Sequence, residues 1–562
     1  MKKSLKTKEN TMNKMKYIVL AMTIAISSIN AQTTTKEGLG SEDIIVIKEY
    51  EARIADAQKI NTSPTTQEVK LEKQTLDYEV SEKLIELEYP AHEVKPLAMP
   101  KVKPNTYIAS YAKLGFGVHL GDNKKVYYSP LAEVVYNNSS VKNLIFGGHY
   151  KHFSAWGAKT ATQKFRNEDA NIYTKYFMKQ VEMGVSANFT QNEDHYYGYP
   201  SDTTRTTKQV RQAVNNFGGN IYFKNAEVNK LALDFNQKLG FNYLTDAFKN
   251  KEWNLNYDGL VTKTFKNFHT LDVFLGANIS NYIPSTKDDL EREAFNVGGA
   301  YTFNDDNWKL KAGINFGIGE VGLGKQFDFY PIIYTEKRLY KHMLIFYSSW
   351  RRDLKINSYQ SLIAENPYIN IDQKLQNSRV EDRIAGFKGT FKNLTYNARF
   401  SNKVVKDMPL FVNDTLNMSR FNVVYEKVLY VYNINAEVGF SWTENFRTQL
   451  TFDYRIFEPT FEEKAWHLPA LNTNLTASYK IKNQYFIDLE FYALAGAWAR
   501  NELGVAEKIK GTADLNLGFS YKYSKNLSMF IKLNNLAHSK QTRFYNYNDY
   551  GFNGLIGAKF EF

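Results

Sequence analysis

Three places in the chain carry side chains that could bind an ion or move a proton. His149 and His152 stand three apart in a strand-like segment, so they point to opposite faces and cannot share a metal. Glu193, Asp194 and His195 lie together in a long polar stretch and could ligate a cation, although such a charge cluster reads better as a solvated loop. Lys287, Asp288, Asp289, Leu290, Glu291, Arg292 and Glu293 read the same way. The other histidines, among them His119, His269 and His342, are dispersed. There is no cysteine, which removes disulfides and Cys-bound zinc. No local Ser-His-Asp motif and no glycine-rich phosphate loop is present. The reading is a protein that is not an enzyme, with no catalytic residues, no metal site and no cofactor.

What the sequence does offer is a polar group at every second position. Leu394, Tyr396, Ala398 and Phe400 alternate with Thr395, Asn397, Arg399 and Ser401. Ala513, Leu515, Leu517 and Phe519 alternate with Thr512, Asp514, Asn516 and Gly518, and Leu527, Met529, Ile531 and Leu533 with Ser528, Phe530, Lys532 and Asn534. On a strand this period puts the two sets on opposite faces. Arg399, Lys403, Asp514, Asn516, Lys532 and Lys559 fall on the polar face, where they would line an interior and tune what enters it.

The connections alternate as well. Tight turns of Asn, Asp, Lys and Ser occur at 138–140, 225–230, 304–307, 443–445, 482–484 and 524–526. Longer polar segments occur at 156–169, 192–213, 284–292, 357–378, 406–418 and 458–467. Traced as up, loop, down, turn, the region 105–562 gives about 22 strands, with 421–442 as a loop return plus one long strand. The aromatic share is 15%, with 39 Tyr and 38 Phe, while charged residues are 23%. A mean hydropathy of −0.47 looks soluble, yet only every second residue of a membrane strand meets lipid. Lipid admits only a closed sheet, because an open edge leaves backbone groups unpaired. The fold class expected is therefore all-β, a transmembrane antiparallel β-barrel. Trp253, Trp308, Trp350 and Trp442 fit the interfacial girdles of such a barrel, at strand ends.

The first hundred residues set the compartment. Lys14 and Lys16 precede an apolar run from Tyr17 to Ile26, then small residues ending at Ala31. That is a secretory signal and too short for a transmembrane helix. Three domains follow: a signal peptide at 1–31, an extension at 32–104, and the barrel at 105–562. The net charge of +12 has its mature basic excess in the barrel. Export makes nucleic acid an unsuitable partner, so the excess is assigned to anionic lipid headgroups, lipopolysaccharide or an anionic solute. Lipopolysaccharide cations also suit the 287–293 cluster.

At the C-terminus, Asn534-Asn535-Leu536, the aromatic loop 544–550 and Gly551-Phe552 together resemble the ending of TonB-dependent receptors. The final strand, with Ile556, Ala558, Phe560 and a terminal Phe562 on one face, is similar to the signal read by the outer-membrane assembly machinery. The resemblance implies an outer-membrane barrel in a Gram-negative bacterium that binds or transports a solute. It spans 105–562, with specific motifs only in the last thirty or so residues. The family's plug domain has no full counterpart: 32–104 is short, holds Pro64, Pro90, Pro96, Pro100 and Pro104, and nearly lacks glycine after Gly40. It is read as a mostly extended periplasmic segment or partial lumen filler, like that of truncated Bacteroidetes-type members. Within it, Glu42, Asp43, Ile44, Ile45, Val46 and Ile47 resemble a TonB box, which adds as a strand to the TonB protein's sheet. The same stretch would equally suit a strand docked on the protein's own rim. The rival function is a non-transporting barrel, a scaffold or subunit of an outer-membrane assembly or secretion complex, with periplasmic or outer-membrane partner proteins. A lumen blocked by 32–104 or by infolded loops would weaken the transport reading, and a continuous pore would support it.

Overall fold

A computed structural model describes residues 110–562 apart from 121–125, 139–140, 157–162, 200–205, 227–230, 266–267, 322–323, 371–373, 540–541 and 549. The expectations for 1–31, for 32–104 and for the TonB-box-like stretch 42–47 lie outside the described residues. A single antiparallel sheet of 22 strands dominates, as the alternation predicts. In chain order its strands are β1 Tyr111–Leu120, β2 Val126–Asn138, β3 Leu144–Trp156, β4 Lys164–Phe177, β5 Val181–His195 and β6 Arg211–Asn225. Next come β7 Leu233–Asp246, β8 Lys251–Phe265, β9 His269–Ile283, β10 Leu290–Asn304, β11 Trp308–Val321 and β12 Gly324–Tyr340. Then follow β13 Leu344–Lys355, β14 Ser378–Phe391, β15 Leu394–Asn413, β16 Phe421–Thr443 and β17 Phe446–Pro459. The last five are β18 Leu471–Ile481, β19 Tyr485–Ala495, β20 Thr512–Lys522, β21 Leu527–Asn534 and β22 Asn553–Glu561.

Each strand pairs with its chain neighbours, and the sheet closes where β1 meets β22, from Tyr111↔Glu561 to His119↔Asn553. Phe562 N–H donates to the Ser110 carbonyl at 2.9 Å and completes the seam. Closure leaves two faces with different chemistry. Leu114 (64% exposed), Ile172 (65%), Phe217, Val273, Ile318, Phe327 and Ile556 crowd the outer one. An apolar girdle of this extent would drive aggregation in water and matches a bilayer core. The inner face is laced by ion pairs between strands: Lys224 to Glu182 at 3.1 Å on neighbouring strands, and Lys311 to Asp272 and Lys388 to Glu336, both at 2.7 Å, across one intervening strand. Short turns join the strands at one end, including one with positive φ at Lys482 (50°) and Asn483 (55°), the backbone twist a tight hairpin needs.

Several local expectations differ from the structure. Of the stretch 406–418 only 414–418 is loop: β15 runs to Asn413 and pairs with β16 as far as Asn413↔Phe421, so both strands rise beyond their neighbours. Of the reading of 421–442 as a loop return plus one long strand, the single strand holds and the loop return does not, since β16 is strand from Phe421 onward. Trp350 sits in mid-strand on β13, where its indole N–H donates to Glu381 at 3.1 Å, whereas Trp308 opens β11 and Trp442 nearly closes β16. Glu193, Asp194 and His195 end strand β5 and are no solvated loop: Glu193 holds Arg166 (3.1 Å) and Arg211 (2.9 Å), and His195 is buried. Of the 287–293 cluster, Leu290 to Glu293 belong to β10, and Arg292 is only 2% exposed. His149 and His152 do serve different faces, the first beside Glu133 and Asp169, the second beside Glu168.

The two faces give a direct test. Ile172→Lys, on the outer girdle, should cost about 2–4 kcal/mol of refolding stability in phospholipid vesicles, because a charge then meets the bilayer core. Asn171→Lys, one residue away on the inner face, should cost less than about 1 kcal/mol by the same urea titration.

Candidate functional site

Opposite the short turns, the long connections fold inward onto the barrel wall. The connection 356–377 carries a helix, α1 (Tyr359–Glu365), whose start is capped by Ser358, with its hydroxyl oxygen accepting from Ser361 N–H at 3.0 Å. Three of its side chains, Tyr359, Leu362 and Ile363, are buried against Val214, Leu244 and Tyr282 of the wall. Tyr359 stacks on Tyr282 with ring centroids 4.8 Å apart and donates its hydroxyl to Asp246 at 2.7 Å. Burial first, then the Asp246 carboxylate, pushes the Tyr359 phenol pKa well up, so this hydrogen bond persists across the physiological range.

Glu252 on β8 anchors the helix. Its two carboxylate oxygens accept from the backbone N–H groups of Tyr359 and Gln360, both at 2.8 Å, which satisfies donors that a helix start leaves free. Arg292 lies against Glu252 at 3.5 Å and donates to the Asn357 carbonyl at 2.7 Å, to Asn377 at 3.3 Å and to Ser280 at 3.3 Å. The pair thus bonds to both ends of the connection. Farther on, Asn370 N–H donates to Phe421 O at 2.8 Å, and Phe421 N–H to Tyr368 O at 3.0 Å, a short parallel bridge to the top of β16.

Other connections join the same mass. A small hairpin in 535–552 (Thr542–Phe544 with Tyr547–Asn548) inserts Phe544 and Tyr547 into the cluster, where Tyr547 stacks on Tyr368 at 3.6 Å. Glu426 on β16, fully buried, accepts from the N–H groups of Thr460 (3.0 Å), Phe461 (2.8 Å) and Glu462 (2.6 Å), fastening the connection after β17. His467 in that connection donates from Nδ1 to Phe411 O at 2.8 Å and accepts at Nε2 from Tyr545 N–H at 3.3 Å. Burial pulls its pKa down to about 4, so it is neutral, as this bonding requires.

The residues singled out on the polar alternation do not form one cluster. Asp514 and Asn516 secure the Asn534-Asn535-Leu536 motif: Asn516 accepts from Asn535 N–H, and Asp514 from Ala537 N–H, each at 3.1 Å, while Leu536 N–H donates to Leu515 O at 3.0 Å. Asn516 also donates to Glu490 at 3.1 Å. Lys532 and Lys559 lie near the seam, Lys559 bonded to Glu561 at 2.6 Å and over the Tyr111 ring at 4.3 Å. Arg399 and Lys403 stand on β15, Arg399 opposite Gly386 and Lys403 paired with Asp382 at 3.7 Å. Ile556, Phe560 and Phe562 are exposed on the outer face, with Ala558 in the same alternation. Sequence reading missed Glu252 and Glu426, since a lone glutamate in a strand carries no signal of the loop it will hold. The alternation of Asn254 and Asn256 with Trp253 and Leu255 was a visible sign that they share a face.

No family model matches the chain, and no curated protein matches its sequence. Solved structures do match. The siderophore receptor PirA from Acinetobacter baumannii aligns with a TM-score of 0.64 at 10% identity, over 82% of this chain and 81% of that one. A variant of the ferric enterobactin receptor PfeA from Pseudomonas aeruginosa, in complex with enterobactin, aligns at 0.62 and 11%, over 81% of each chain. The FpvAI–pyocin S2 complex matches at 0.60 and 12%, over 81% of this chain and 73% of that one. The barrel has the fold of these receptors. That is the fold the C-terminal motifs implied, and at such identity the likeness carries architecture only.

Two predictions follow from the loop contacts. Arg292→Ala leaves Glu252 as an uncompensated buried charge, which should weaken the closure of 356–377 by about 3–5 kcal/mol and expose it to limited proteolysis while the barrel stays folded. Acid should loosen the 542–548 hairpin. Once exposed, His467 regains an ordinary pKa near 6.5, so between pH 6.5 and about 4 the open form binds the extra proton and the closed form loses up to about 3 kcal/mol. Amide protection of 542–548, corrected for intrinsic exchange, should fall over that window in the native protein and stay flat in His467→Gln.

Proposed function

We propose that the protein is an outer-membrane barrel that binds a solute at its long-loop end and passes it through the lumen when the infolded connections are released. The observation that carries this reading is the Glu252–Arg292 fastening, which holds 356–377 against a polar inner wall. A standing pore has no use for such a closure. The shared fold with siderophore receptors supports uptake in place of enzymatic work. The infolded connections weaken the reading of transport through a standing passage, so release of the closure is part of the proposal.

In this proposal residues 42–47 add as a strand to TonB and deliver the energy of opening, with the N-terminal segment in the periplasm. Ile556, Ala558, Phe560 and Phe562 present the assembly signal, and the polar rim above the girdle meets lipopolysaccharide. Arg399, Lys403, Asp514, Asn516, Lys532 and Lys559 contribute to the polarity of the passage.

The test uses the full chain in planar bilayers. The native protein should show no steady conductance, and removal of 358–376 should open one. Steady conductance in the native protein would sink the reading, as would a silent deletion variant together with a stoichiometric partner protein on purification from native membranes. Deletion of 44–47 tests the TonB element separately: uptake should stop with the barrel still assembled, and unchanged uptake would reject that element alone.

A further inference from the structure

The short turns that join the strands at one end of the barrel are rich in lysine. Lys142, Lys179, Lys341, Lys392, Lys482 and Lys525 stand in six of these turns, and all are exposed. Strand lysines near them are neutralised, Lys224 by Glu182 at 3.1 Å, Lys388 by Glu336 at 2.7 Å and Lys559 by Glu561 at 2.6 Å. The six turn lysines pair with no carboxylate among the described residues. The acids among the described turn residues are Asp305 and Asp306 in one turn and Glu444 in another. Asp305 is engaged inside its own turn, where it accepts from Asn307 N–H at 2.8 Å.

Aromatic residues set the depth of these lysines. Tyr176, Tyr340, Phe391, Tyr479 and Tyr523 are exposed, and Lys179, Lys341, Lys392, Lys482 and Lys525 follow them within three residues. Such rings settle at the boundary between hydrocarbon and headgroups. At ~3.3 Å per residue of strand, a lysine one to three residues farther on lies roughly 3–10 Å beyond that boundary, and its flexible stem carries the ammonium to the phosphates. The long connections at the opposite end mix both signs: Lys287 adjoins Asp288, Lys464 adjoins Glu463, and Lys508 adjoins Glu507. On the outer face below them, which the alternation assigns through Ile172, Val185, Phe217 and Phe327, cations are matched within the protein. Arg166 and Arg211 share Glu193 at 3.1 and 2.9 Å, and Lys325 holds Glu293 at 2.8 Å.

Resting on the outer-membrane reading above, we infer that the short-turn rim is a docking surface for anionic phospholipid headgroups, a ring of ammonium groups set at phosphate level in the leaflet on that side. Each ammonium has three N–H donors and no acceptor, so phosphate oxygens satisfy it without competition from a carboxylate of the protein. The attraction adds up around the ring and fades as salt screens it. Because the opposite rim mixes both signs, the surface distinguishes one leaflet from the other.

Fluorescence quenching of the full chain, inserted in vesicles whose lipids carry brominated acyl chains, tests this, since Trp308 at the start of β11 and Trp442 near the end of β16 report from the short-turn end. Brominated phosphatidylglycerol should be preferred over brominated phosphatidylcholine by about threefold at about 50 mM salt, and the preference should fall toward one at about 500 mM. Lys→Gln at all six turn positions should abolish the preference, and Lys→Arg at the same six, which keeps the charge, should retain it. Lys→Gln at Lys208, Lys249, Lys251, Lys427, Lys508 and Lys510, toward the long-loop end, makes the same change in net charge and should leave the preference intact. Heat-modifiable migration on gels checks that each variant barrel is folded. Equal quenching by the two lipids in the native protein, a preference that survives in the turn glutamine variant, or one lost equally in both glutamine variants would each overturn the inference. Failure to insert into either kind of vesicle would sink the outer-membrane reading itself, whereas insertion without a preference sinks this inference alone.

Discussion

Everything in this protein depends on the seam between β1 and β22. In hydrocarbon an unpaired N–H or C=O costs several kcal/mol, so the sheet must return to its own first strand or not span at all. Once the ends meet, each strand has one face toward lipid and one toward the interior, and the alternation of Leu114, Phe116 and Val118 with Lys113, Gly115 and Gly117 becomes compulsory. Closure at 22 strands has a second consequence. The ring is too wide for wall side chains to fill, so the interior must be occupied by other parts of the chain, by water or by solute. At the long-loop end, connections occupy it.

Those connections are held by charges as well as by apolar contact. Glu252 and Glu426 each point a carboxylate at successive backbone N–H groups of a loop, giving short charge-assisted bonds where the chain would otherwise bury unmet donors. An apolar core of the same size would be hard to reopen reversibly, because it has no single point of release. A buried ion pair behaves differently: it contributes little net stability when whole and becomes strongly unfavourable when one partner is withdrawn. Arg292 therefore makes the closure conditional, since whatever competes for it or for Glu252 also frees Asn357, Tyr359 and Gln360.

How much of this could be read from sequence follows from which forces are local. Period-two alternation and turn chemistry depend on a few adjacent residues, so the strand number, the long β16 and the turn at Lys482–Gln484 were all legible. Burial on the long-loop side is not local. The 287–293 cluster has every mark of a solvated loop, yet Arg292 is enclosed because 356–377, more than sixty residues away in the chain, folds over it. Glu193 and His195 misled in the same way, and 406–418 looked like a loop because β15 and β16 extend past their neighbours into a region where polar residues on strands are acceptable. The C-terminal motif was visible as a pattern, but its reason appears only in three dimensions, where Asp514 and Asn516 capture the backbone of Asn535 and Ala537.

A shared fold at 10–12% identity does not carry a solute across from the receptors this barrel is similar to. Twenty-two strands fix the diameter and the position of the loops, and nothing in that constraint selects a ligand. Closure leaves the inward side chains free to vary, because the ladder is made by backbone groups and these side chains do not touch lipid. There the chain has placed amides against glycines, Asn188 against Gly218 and Asn220 against Gly240, and kept lysine and arginine out of two cavities, one lined by Asn256 and Asn278, the other by Asn216 and Gln360. Flat amides leave room that larger side chains would occupy. The buried charged pairs Glu252–Arg292 and Glu426 with its backbone partners stand apart from these cavities and hold the loops.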